Sequence, residues 1–307
     1  MRKKFIAITG MAVVVALLVA VVVGCGSKSG GGGSGDTMAF FTQAKGQLSS
    51  ATSFTLQGQL GVKLKGTSGQ SSLIPSNMNV PFEGAMQKTG NVPAAKLSLD
   101  MSFLTNILAG LMGSSGLSST TDVYFVDGKI YGQSPLDGAW YVADPATVPG
   151  LPSFITNQDY AQLLDWGKDV KVIQETSSTI KYELSVDMSK VPSDLSQIIA
   201  GLAEGQMTDA QLQAFTDNFK KSLSSMKLDV TVDKASGNPT EISTSVDISF
   251  QGLEDPTGGM MDIGTGATVS FDVNFADFGQ KQDITLPEGA KNAKPVEDVT
   301  SGSLLNL

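Results

Sequence analysis

The chain has 307 residues with 21 Lys+Arg against 30 Asp+Glu, no histidine and one cysteine, giving a formal charge of −9. That balance argues against a nucleic-acid partner, which needs a basic face to replace counterions on phosphate, and against tight electrostatic docking on anionic headgroups. The missing histidines remove Ser-His-Asp triads and imidazole ligands, and a single thiol removes disulfides and thiolate metal sites, so no catalytic residue, metal or cofactor is expected.

At the N-terminus Arg2, Lys3 and Lys4 precede an uncharged apolar run from Phe5 to Val23 that ends in Gly24-Cys25. A basic start, an apolar stretch and a small residue before the cut describe a secretory signal. The run is ~19 residues and a span needs roughly 20, so a retained transmembrane helix is the alternative. The place of the sole cysteine, at the end of the run, favours processing. Val22-Val23-Gly24-Cys25 resembles the lipobox of bacterial lipoproteins. That resemblance implies cleavage between Gly24 and Cys25, a diacylglycerol and palmitate anchor on Cys25, and an extracytoplasmic protein held at a membrane of the cell envelope. Gly26 to Gly35 is almost wholly Gly and Ser. About ten such residues form a flexible tether reaching roughly 16–19 Å. The expected organisation is a signal at 1–24, lipidated Cys25 and tether at 25–36, one domain at 37–290, and a disordered tail at 291–307.

Asp36 or Thr37 can cap a first helix with Phe41, Ala44, Leu48 and Ala51 on one stripe. From Ser53 the period becomes two: Phe54, Leu56, Leu60, Val62 and Leu64 alternate with polar residues, and Gly58 and Gly61 weaken or bend the strand. Val80-Phe82-Gly84-Met86 and Ala95-Leu97-Leu99-Met101 repeat the alternation around a turn at Thr89-Gly90-Asn91. One apolar and one polar face imply antiparallel strands wetted on one side. Phe103 to Met112 is dense in apolar residues and reads as a short buried helix. Asp127-Gly128 and Asp137-Gly138 then predict a meander of three short strands ending in Trp140-Tyr141-Val142. Beyond an exposed connection with Pro145, Pro149 and Pro152, a helix is expected from Thr156 or Asn157 to Trp166. Strands follow at Val170–Val172 and Ile180–Val186.

A helical pair comes next, with Leu195, Ile198, Ile199 and Leu202 on one helix, and Leu212, Phe215, Phe219, Leu223 and Met226 on a second opened by the capping box Thr208-Asp-Ala-Gln211. Sheet returns at Leu228–Val232, Ile242–Phe250, Val269–Phe275 and Ile284–Pro287, with a turn at Lys234–Asn238. The sum is roughly ten or eleven strands with four or five helices. The predicted class is α+β: a large curved antiparallel β-sheet, an open half-barrel, with helices covering the concave face.

Several of these stretches resemble the LolA/LppX/LprG-like superfamily: the lipobox, Ser53-Phe-Thr-Leu-Gln-Gly after the first helix, the Tyr124-Phe-Val-Asp-Gly-Lys-Ile-Tyr131 hairpin followed by Gly138-Ala-Trp140, Val232-Asp-Lys-Ala-Ser-Gly-Asn-Pro239, and the closing Phe278-Gly and Ile284-Thr-Leu-Pro287. The likeness covers most of residues 37 to 290 and is structural rather than catalytic. It implies a hydrophobic, lipid-like ligand held between sheet and helices, with no family ligand contact carried over residue by residue. The cavity lining expected here is Phe103, Leu104, Ile107, Leu108, Leu111 and Met112 together with Leu195, Ile198, Ile199, Leu202, Leu212, Phe215 and Phe219; ordinary core packing is the alternative for each. Methionines 101, 112, 226, 260 and 261 fit adaptable lipid-facing surface or gap filling equally. Trp140 and Tyr141 are expected to pack on the sheet. Asp255 and Asp262 lack the ligand pattern of a calcium loop, and Glu254-Asp255 and Glu297-Asp298 read as solvated charge. A different reading of the same scaffold is a cell-surface module that recognises an envelope protein, which calls for an apolar patch on the outer face.

Overall fold

The computed structural model describes residues 36–66, 76–90, 92–103, 105, 118–134, 138–144, 164, 167–187, 209–250 and 265–295. The signal, Cys25, the tether before Asp36, the acidic pairs at 254–255 and 297–298, and Asp262 lie outside these residues, as does the helix expected near Thr156 except for Leu164, which is helical and buried.

All of the alternating stretches except Ile284–Pro287 become strands of one sheet. Strands β1 (Ser53–Lys65), β2 (Asn77–Thr89), β3 (Val92–Asp100), β4 (Thr120–Val126), β5 (Lys129–Gln133) and β6 (Trp140–Ala143) form an antiparallel meander running outward from β1. Strands β7 (Gly167–Glu175), β8 (Thr179–Val186), β9 (Lys227–Asp233), β10 (Pro239–Ser249) and β11 (Gly266–Ala276) form a second one. This second meander starts at the far edge and works inward until β11 pairs antiparallel with β1. A two-residue strand β12 (Lys294–Pro295) adds to β6 in parallel, giving twelve strands in the order β12-β6-β5-β4-β3-β2-β1-β11-β10-β9-β8-β7. The first and last long strands of the chain therefore zip together at the middle of an open sheet.

Local chemistry fixes the turns. Asp127 and Gly128 both have positive φ, 51° and 72°, the pairing a tight hairpin between right-twisted strands requires. Gly58 solves a packing problem within β1. A Cβ there would stand 2.1 Å from the Asp272 carbonyl oxygen and 2.6 Å from Phe82 Cζ. Its absence lets Phe82 of β2 stack on Phe271 of β11, centroids 5.6 Å apart, across the intervening strand.

Two α-helices are described, α1 (Asp36–Ser50) and α2 (Asp209–Ser225), and both lie on the same face of the sheet. Phe41, Ala44 and Leu48 of α1 are buried as their spacing predicts, and Ala51 is half-buried just beyond the helix. Phe219, Leu223 and Met226 carry the buried stripe of α2 and the residue after it. Beneath them Ile180, Tyr182, Leu184, Val230, Val232 and Ile242 are each fully buried. The outer face is polar over β1, β2 and β7 to β11, where cross-strand pairs such as Lys181–Asp229 and Lys65–Asp247 line up at 3.2 and 2.6 Å. Pairs this exposed contribute at most about 1 kcal/mol each and serve chiefly to keep the face wet.

The C-terminal region departs from expectation. Ile284-Thr-Leu-Pro287 alternates as a strand should, yet joins no ladder. Gln282 N–H donates to the Gln87 side chain, Thr285 Oγ1 donates to Asp283, and Pro287 has no N–H to offer. Instead Phe278 packs its ring 5.7 Å from Phe54, and a 3-10 helix (Glu288–Asn292) places buried Ala290 beside the sheet. That helix runs across residue 290, and β12 follows it.

Candidate functional site

Antiparallel partners share a face, so the register reads out the floor of the helix-bearing side directly. One row runs Leu56, Gly84, Leu97, Val123, Gly132, Tyr141 across β1 to β6. The adjacent row runs Phe54, Met86, Ala95, Phe125, Ile130, Ala143. Neither row contains a charge.

The two halves of this face differ. Both described helices pack over β8 to β10. On the other half Leu97, Leu99, Val123, Ile130 and Tyr141 are only partly buried. The two glycines of the first row behave differently. At Gly84 a Cβ would meet Leu56 Cδ1 and Leu97 Cδ1 at 3.2 and 3.3 Å, so neighbouring leucines close over that position. At Gly132 no described atom lies within 4 Å of where a Cβ would stand. An uncharged floor with no described atom above Gly132 is a place where an apolar chain can lie.

A polar group stands at the margin of this floor: Thr121 follows Phe82 and Leu99 in the next row, and its buried hydroxyl has no hydrogen-bond partner among the described residues. Asp100 ends β3 on the opposite face, accepts the Ser102 hydroxyl and the Ser102 backbone N–H at 2.9 Å, and is held below the usual carboxylate range by those bonds. This turn launches the helical residues 102, 103 and 105, where Thr105 N–H donates to the Met101 carbonyl. On the outer face of the same strands Tyr124 is buried against Trp140, centroids 5.8 Å apart, with Lys96 over the Tyr124 ring. Trp140 thus packs on the sheet as expected, while Tyr141 points to the opposite face.

Of the lining residues expected from sequence, Phe103 is half-buried and packs against the core, and Phe219 of α2 is buried, 2% exposed. Leu212 and Phe215 lie on α2, their side chains outside the described residues. Leu104, Ile107, Leu108, Leu111, Met112, Leu195, Ile198, Ile199 and Leu202 also lie outside them, as do Met260 and Met261. The residues that form the described floor, Leu97, Val123, Ile130 and Tyr141, belong to strands rather than helices. Their signal in the sequence is alternation interrupted by Gly132, an inward position without a side chain.

No family model matches the chain, and no curated protein matches it. Among solved structures it is similar to a DUF1329 family protein from Desulfovibrio piger ATCC 29098, at 11% identity and a TM-score of 0.29, covering 82% of this chain and 95% of that one. It is also similar to MucB in complex with MucA(peri), at 10% identity and a TM-score of 0.30, over 83% of this chain and 61% of the MucB chain. A third is a LolA superfamily protein, NE2245 from Nitrosomonas europaea, at 8% identity and a TM-score of 0.27, over 83% and 96%.

Proposed function

We propose that the protein is a lipid-anchored extracytoplasmic protein that binds a hydrophobic, lipid-like ligand without catalysis, and that the acyl part of the ligand lies along the floor formed by β3 to β6. The observation that carries this reading is the asymmetry of the inner face among the described residues: one half lies beneath the two helices, while on the other Leu97, Leu99, Val123, Ile130 and Tyr141 are only partly buried and no described atom lies within 4 Å of a would-be Cβ at Gly132. Burial of acyl methylenes supplies the affinity, at about 0.8 kcal/mol per CH₂. A chain of roughly a dozen carbons in contact with such a floor then binds tightly even after the losses of association. The absence of any charge in the two floor rows fits recognition by apolar contact, with Thr121 placed to meet a polar group.

The anchor on Cys25 keeps this floor within reach of the bilayer that supplies the ligand. The test is mass spectrometry of lipids extracted from protein purified from its native envelope. A reproducible stoichiometric lipid is expected, and a protein that stays empty and takes up no added fatty acid contradicts the reading. A protein-recognition module would instead display an apolar patch on the outer face. Among the described residues the large exposed apolar side chains are Val92, Val172 and Ile173, which form no such patch on the polar strands.

A further inference from the structure

Among the described strands β7 is one edge of the sheet, and it is bulged twice, at 168–171 and at 172–174. Lysines and bulges are what blunt an edge against strand addition. Val172 and Ile173 do not fit that purpose. They are 39% and 49% exposed and adjacent in sequence; Val172 is paired with Tyr182, and Ile173 is the extra residue of the second bulge.

The course of α1 explains what lies beside them. Phe41 packs its ring 5.4 Å from Tyr182 on β8, and Gln43 reaches Ser236 in the turn between β9 and β10. The helix then ends two residues before β1 begins at the centre of the sheet. So α1 crosses the strands from the β7 side toward β1, with its N-terminus at the β7 side. From Phe41 back to Asp36 is five residues, about 7.5 Å of helix, and one strand spacing is about 4.8 Å. Asp36, the first described residue of α1, therefore lies toward Val172 and Ile173, and the roughly ten Gly/Ser residues expected between it and Cys25 reach only about 16–19 Å.

We propose that the Lys171–Glu175 end of β7 is the surface on which the domain rests against the lipid bilayer, with Val172 and Ile173 entering the interface. This rests on the membrane-anchored reading above. Lys168 and Lys171 stand with Asp169 and Glu175, so the edge is nearly balanced in charge and has no quarrel with headgroups despite an acidic protein. Two aliphatic side chains do not hold a protein at a membrane by themselves. They act because the tether keeps them at high local concentration there, and they orient the domain.

The test separates the tether from its natural processing. The mature chain is coupled through Cys25 to a maleimide phospholipid in vesicles of phosphatidylethanolamine and phosphatidylglycerol, and amide hydrogen exchange is compared with that of the uncoupled chain. Exchange over residues 171–175 should slow at least threefold on coupling, while β3 around Val92, the remaining large exposed aliphatic among the described residues, is unchanged. The double variant Val172→Asp, Ile173→Asp should abolish the protection with its melting temperature preserved. Equal exchange in coupled and free protein, or equal slowing at Val92, overturns the proposal. Protection that appears in the free chain as its concentration rises assigns the edge to a second copy and overturns it as well. Mass analysis of the natively expressed protein reports separately on acylation, so failure of the anchor and failure of this docking surface are told apart.

Discussion

Replacing Gly132 with leucine should block the proposed ligand site while leaving the sheet intact. Gly132 sits in the inner-face row between Val123 and Tyr141, and no described atom stands within 4 Å of its would-be Cβ. Four added carbons occupy the space of about four ligand methylenes. At about 0.8 kcal/mol each this removes about 3 kcal/mol of binding, a dissociation constant raised on the order of 200-fold. The same change relieves the glycine entropy penalty and improves strand propensity, so stability should stay within about 1 kcal/mol of the parent or rise slightly. Fluorescence titration with cis-parinaric acid measures the first quantity and urea unfolding the second. Binding within about threefold of the parent refutes the placement of the ligand. A large loss of stability refutes the claim that the space is open.

Other positions give contrasting outcomes. Gly58→Ala forces a methyl to within 2.1 Å of a backbone oxygen and into the Phe82 ring, and should cost about 3 kcal/mol or more in chemical unfolding as Phe82 and Phe271 separate. Tyr182 is held above the ordinary tyrosine value of about 10, chiefly by burial, so its contribution is complete below pH ~10 and is lost as pH rises beyond it. A thermal-denaturation series should show an alkaline fall in melting temperature that is shallower in Tyr182→Phe, and identical slopes would contradict this. Asp247 is held below the usual carboxylate range by hydrogen bonds from Lys65 and Thr268, so its contribution is present near neutrality and fades as pH falls below about 4. Lys65→Met should flatten stability over that acid range. Cys25→Ala should move the protein from the membrane to the soluble fraction on cell fractionation while its purified domain still binds cis-parinaric acid.

Much of the architecture was legible because a period of two is dictated by the pleat and survives in any sequence that must keep one face dry. Phe54 to Leu64 and Ile180 to Val186 show this, as does the Asp127-Gly128 hairpin with both residues at positive φ. Period alone does not say which strands meet. That β11 closes on β1 depends on long-range fit, including the ring stack that Gly58 admits. Nor does it distinguish a strand from an extended segment whose polar groups bond side chains, hence Ile284–Pro287. The site was harder. The lining expected in apolar helices falls mostly outside the described residues, Phe219 of α2 is buried, and the described floor is built from ordinary strand residues. What marks Leu97, Val123 and Ile130 out is that the described helices lie elsewhere on the sheet, and no local signal carries that.

Nuclear Overhauser contacts between a bound fatty acid and the methyl groups of the protein test the central claim most directly. Acyl protons should contact Leu97, Val123 and Ile130 and leave Val230 and Ile242, sealed beneath the helices, untouched. Contacts to Val230 and Ile242, or none to the strands of the first meander, would contradict it.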